Sequence, residues 1–78
     1  MLSPSLEDYL EEIYRFASQQ QVVRTTDIAQ KLNVSLPSVT KAVKKLSRKG
    51  YLQYERYKNI ELTSQGKQLG KFLVTRNR

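Results

Sequence analysis

Apolar positions recur with a helical period over most of this 78-residue chain, and the breaks between the repeats are short. Leu6, Leu10, Ile13 and Ala17 fall at i, i+4, i+7 and i+11, one face of a helix from Pro4 to about Gln19. Tyr9, Tyr14 and Phe16 widen that face, while Glu7, Asp8, Glu11 and Glu12 lie mostly on the other side, near the positive end of the helix dipole. Ser3 suits the N-cap and Pro4 the first helical position. Val22 and Val23 read as a short extended link. A brief second helix follows, from about Thr26 to Leu32, capped by Thr25 or Thr26 and facing Ile28, Ala29 and Leu32 to the core. Asn33-Val34-Ser35 reads as a tight turn, and Ser35 as the N-cap of a third helix with Pro37 in its first turn. Leu36, Val39, Val43 and Leu46 form the apolar stripe of that helix, and Gly50 is its stop signal.

The period then changes. Tyr51-Leu52-Gln53-Tyr54-Glu55 and Ile60-Glu61-Leu62 have the tyrosine and β-branched content of strands, joined by a polar turn at Arg56-Tyr57-Lys58-Asn59. Thr63 can cap a fourth helix with Leu69, Phe72 and Leu73 turned inward, where Gly66 and Gly70 either weaken the helix or permit close packing. Two helices joined by about three residues and followed by a hairpin predict a mainly α fold with a small β-hairpin, a winged helix-turn-helix. Residues 1–78 are expected to make one such domain, with no internal repeat or linker.

Charge sharpens this picture. The net charge of +7 is distributed as −3 over residues 1–23, +6 over 24–50 and +4 over 51–78. Basic surface confined to part of a small domain is the footprint of a polyanion binder. Lys41, Lys44, Lys45 and Arg48 stand at i, i+3, i+4 and i+7 on the third helix, opposite the apolar stripe. In a helix-turn-helix the second helix enters the major groove with its N-terminal residues on base edges. Pro37, Ser38, Thr40 and Lys41 occupy that end. Serine and threonine hydroxyls serve either donor or acceptor edges, and lysine favours guanine. Lys44, Lys45 and Arg48, further along, suit phosphates. The turn carrying Tyr57 and Lys58 is the candidate wing, gripping the backbone or the minor groove.

Other chemistries find little support. The chain has no Cys and no His, so disulfide scaffolds and zinc sites built from thiolate or imidazole are excluded. There is no G-x-S-x-G nucleophile motif and no Gly-rich phosphate loop. Carboxylates at the start of an exposed helix lack the setting that acid–base catalysis needs. Neither an enzyme nor a small-molecule substrate is expected. No apolar run approaches the roughly 18 residues of a membrane span, and the acidic, amphipathic start is unlike a signal peptide. Asp8 and Glu11, three apart, can face one point and suggest half of a site for a hard cation such as Mn²⁺. Their other reading is favourable charge near the helix N-terminus.

The segment Pro4-Ser5-Leu6-Glu7-Asp8-Tyr9-Leu10-Glu11-Glu12-Ile13-Tyr14 resembles the opening helix of the diphtheria-toxin-repressor family, in its manganese-regulator branch. Asp27-Ile28-Ala29, Pro37-Ser38-Val39-Thr40-Lys41, Lys49-Gly50-Tyr51-Leu52 and Leu62-Thr63-Ser64-Gln65-Gly66-Lys67 fit the same family in order. The last two pieces recur in many winged helices; the opening helix is the more specific. The resemblance implies a prokaryotic, metal-responsive transcriptional repressor of metal-uptake genes, in the cytoplasm and at the nucleoid. It implies double-stranded DNA as partner, bound at palindromic operators by a homodimer. Leu36–Lys49 would be the recognition helix, and Asp8 and Glu11 match metal-holding positions. Two departures stand out: Arg76 is followed by Asn77 where the family places a histidine ligand, and the chain stops at Arg78. The expectation is therefore Mn²⁺ or Fe²⁺ in a longer parent protein, with none bound by these residues alone. Two rival readings remain: a metal-independent winged-helix regulator, and a protein-interaction module on the same scaffold.

Overall fold

The computed structural model describes residues 4–19, 22–54 and 59–76. The Ser3 cap, Glu55, the turn residues Arg56, Tyr57 and Lys58, and Asn77 lie outside the described residues. Helix α1 spans Pro4–Gln19, α2 Thr25–Leu32, α3 Leu36–Arg48 and α4 Ser64–Arg76. Strands β1, Leu52–Gln53, and β2, Glu61–Leu62, pair antiparallel with Leu52 opposite Leu62 and Gln53 opposite Glu61. The mainly α fold with a small hairpin is as the periodicity predicts. Among the described residues the ladder takes two residues on each side, fewer than the expected strands hold.

The core is one contiguous cluster to which every helix contributes. Leu10 and Ile13 enter from α1, Ile28 from α2, Val39, Val43 and Leu46 from α3, and Leu73 from α4, joined by Leu52 and Ile60 of the hairpin. Each fully buried Leu or Ile contributes about 1.5–3 kcal/mol of apolar burial. Val23 also joins the core, and its carbonyl accepts from the Ile60 N–H at 2.9 Å. The link between α1 and α2 therefore carries a third, one-residue rung beside the hairpin.

The two glycines of α4 are contact points. A Cβ on Gly66 would stand 1.9 Å from the Tyr51 carbonyl oxygen, and one on Gly70 would meet the Tyr14 side chain at 2.8 Å. Close packing is thus the reason for both, and it lets α4 lie against α1 and the start of β1. Thr63 caps α4 as predicted, accepting from the Gly66 N–H at 3.1 Å while its hydroxyl donates to the Gly50 carbonyl at 2.6 Å. Gly50, at φ 87, supplies the left-handed residue that ends α3.

Several positions depart from the periodicity. Leu36 and Phe72 were expected inside, yet they are 44% and 53% exposed. Leu36 is the first residue of α3 and lies beyond the ring of neighbours that covers Val39, while Ala42 takes the inward place instead. Phe72 precedes the buried Leu73 by one residue, 100° round the helix, and its ring lies 5.7 Å from the Arg76 guanidinium carbon. Ala17 is likewise exposed. Helix α2 starts at Thr25, not Thr26, and neither threonine caps it: the N-cap is Arg24, extended and with no side-chain bond. The acids of α1 differ most. Glu11 and Glu12 are only 7% exposed, not on the solvent face, because α1 is packed by its neighbours on more than one side.

Candidate nucleic-acid interface

The helix-turn-helix is built by local bonds. Asn33 caps α2 in the left-handed conformation, φ 55, which asparagine tolerates well. The Asn33 and Val34 N–H groups return to the Gln30 and Ala29 carbonyls at 3.3 and 3.0 Å. Two residues later Ser35 is extended and its hydroxyl accepts from the Ser38 N–H at 3.3 Å, starting α3. The chain thus reverses in three residues, and α2 and α3 are fixed against each other by Ile28, Val39 and Val43.

That packing commits one face of α3 to the core and leaves the other to solvent. Val39, Ala42, Val43 and Leu46 are buried; Pro37, Ser38, Lys41, Lys44, Lys45 and Arg48 are exposed, and Thr40 is half-buried on the flank. The structure brings together every α3 residue expected at the interface. Helix α3 contains no acid, and the ion pairs among the described residues all involve α1: Arg15 with Glu11 and Glu12, and Arg76 with Glu7. Among the described residues, then, no acid pairs with the four cations of this face. Leu36, Pro37, Thr40, Lys41 and Lys44 line an open depression of about 400 Å³ at its N-terminal end.

The hydroxyls there are partly engaged. Ser38 Oγ lies 2.8 Å from Ser35 Oγ, and Thr40 Oγ1 donates to the Leu36 carbonyl at 3.1 Å. Thr40 Oγ1 consequently keeps its acceptor lone pairs, with its proton already used. Sequence reasoning missed the exposed Val34 and Leu36, which add apolar surface beside Pro37. Their place next to the turn was the available signal, since the first turn of a helix extends beyond the core it serves. Tyr57 and Lys58 belong to the undescribed part of the hairpin.

The described residues offer α1 no complete metal site. Asp8 is exposed, but Glu11 is buried and its Oε1 lies 2.6 Å from the Arg15 guanidinium. Among the described residues no group of three His, Cys, Asp or Glu side chains could hold an ion. The two carboxylates that spacing placed together are thus in different settings, one in solvent and one bonded to an arginine. No described helix is long and apolar enough to cross a membrane.

A tight helical turn, a cationic second helix and a short hairpin behind it define a winged helix-turn-helix DNA-binding domain. The chain belongs to the iron-dependent repressor family, whose N-terminal DNA-binding domain matches residues 1–60. It is 48% identical over 77 residues to the HTH-type transcriptional regulator MntR of Bacillus subtilis (strain 168), covering 99% of this chain and 54% of that protein. The regulator of the same name from Lysinibacillus sphaericus (strain C3-41) is 47% identical, with 99% and 55% covered. The chain thus spans about half the length of these relatives. Among solved structures it is similar to MepR, a transcription regulator of the Staphylococcus aureus multidrug efflux pump MepA. That match has a TM-score of 0.76 and 30% identity, and covers 95% of this chain and 55% of that one.

Proposed function

We propose that these 78 residues act as one DNA-docking unit of a transcriptional repressor, with α3 in the major groove of double-stranded DNA. The observation that carries the reading is the face of Lys41, Lys44, Lys45 and Arg48, exposed, without an acidic partner among the described residues and fixed by the turn before it. Ser38, Thr40 and Lys41 address base edges, with Pro37 against the groove wall; Lys44, Lys45 and Arg48 address phosphates, and Tyr57 and Lys58 act as the wing. The family membership supports this assignment. One such unit covers one half-site, so two copies in a homodimer read a palindrome. The relatives' name and the family description associate this domain with metal regulation. Here docking itself needs no metal, and control by Mn²⁺ or Fe²⁺ in a longer parent works through residues outside this chain.

Fluorescence anisotropy of a labelled operator-like duplex tests the proposal. Four phosphate contacts, from Lys44, Lys45, Arg48 and Lys58, give a slope of log affinity against log salt of about −3 to −4. Affinity in excess chelator should equal that in Mn²⁺. A flat salt response would remove the α3 face as the docking surface, and binding confined to Mn²⁺ would overturn metal-free docking.

A further inference from the structure

The acids of α1 are the feature that DNA docking leaves unexplained. Glu11 and Glu12 are adjacent in sequence, point about 100° apart around the helix, and are both 7% exposed. Two neighbouring carboxylates drawn out of water require a cation close by. Arg15, one turn on, is i+4 to the first and i+3 to the second. Its guanidinium reaches Glu11 Oε1 at 2.6 Å through one terminal nitrogen and Glu12 Oε2 at 3.2 Å through the other. A planar fork of donors can serve two carboxylates at once, which a lysine ammonium on the same stem does less well. The arginine itself stays 41% exposed, so its charge sits at the mouth of the acid pair. A third acid, Glu7, is engaged by Arg76 of α4 at 3.1 Å.

We propose that Arg15 is a built-in cation that neutralises Glu11 and Glu12 and thereby closes α1 to divalent metal. An ion seeking Glu11 as a ligand must first displace the guanidinium and leave Glu12 without it. The inference goes beyond DNA docking and is read without any duplex present, so failure of one reading leaves the other standing.

The test is thermal unfolding of the 78-residue chain and of Arg15→Met, each in millimolar Mn²⁺ and in excess chelator. The wild-type Tm is expected to be the same in both. Arg15→Met should melt lower in chelator and recover on adding Mn²⁺ by at least about 4 °C, the scale on which a domain this size registers one restored interaction. If Arg15→Met is unfolded in chelator, the gain of far-UV helicity on adding Mn²⁺ gives the same readout. A wild-type Tm that climbs with Mn²⁺ would overturn the proposal. So would an Arg15→Met chain as stable as wild type, or one indifferent to Mn²⁺.

Discussion

At the scale of single residues, position within a helix decides role more sharply than residue type. Lys41 and Lys45 lie a turn apart on one face, and Lys41 is the nearer to the α3 N-terminus, the end that our proposal sets against base edges. Lys41→Ala is therefore expected to weaken binding to a selected site by about 1–3 kcal/mol, with less effect on random duplex. Equal losses on both duplexes would reassign it to a phosphate. The glycines of α4 give a second residue-scale prediction. Gly66→Ala drives a methyl into the Tyr51 carbonyl, which the backbone holds in place, whereas Gly70→Ala presses on the Tyr14 side chain. Both substitutions overpack, at about 1–3 kcal/mol or more. Gly66→Ala should be the more damaging in urea unfolding, because a backbone carbonyl is held more firmly than a ring. The reverse order would mean that β1 yields more readily than the seam between α1 and α4.

At the scale of elements, α3 is divided lengthwise between core and solvent. Leu46 lies wholly inside, while Leu36, ten residues earlier, hangs off the end of the same helix. Leu46→Ala should cost about 2–5 kcal/mol of stability, and Leu36→Ala should stay within about 0.5 kcal/mol. Chemical denaturation of the two variants checks this, and equal losses would contradict the burial of α3 described here. Helix α1 is held differently. Its Leu10 and Ile13 are buried, Tyr14 seats against Gly70, and Arg76 ties its first turns to the end of α4. The arginines on this side answer acids within the chain, so they add little to the field in front of α3.

At the scale of the molecule, charge is sorted by direction. Acids on α1 meet Arg15 and Arg76, and the cations of α3 face solvent with no acidic partner among the described residues. Within the net charge of +7, Lys41, Lys44, Lys45 and Arg48 form one patch of common direction. The short rung at Val23 ties the link before α2 to the hairpin, so the helix-turn-helix and the wing base rest on one core. A shared core of this kind fixes the 13-residue α3 in one orientation relative to the hairpin.

Much of this was legible in the chain. Periodicity located all four helices, and the Ser35 cap, the Gly50 stop and the Thr63 cap were readable because each rests on bonds between near neighbours in sequence. The cationic face of α3 was readable for the same reason, since helical spacing alone puts Lys41, Lys44, Lys45 and Arg48 on one side. Other matters depended on which elements meet. The exposure of Leu36 and Phe72, the pairing of Val23 with Ile60, and the reason for Gly66 and Gly70 each involve a neighbour distant in the chain. The fate of the α1 carboxylates combines both sources. The i, i+4 spacing of Glu11 and Arg15 was present in the sequence, but helical period places a residue on a face without saying what covers that face. Only the tertiary packing decided that Glu11 and Glu12 are withdrawn from water, where both are ion-paired with Arg15.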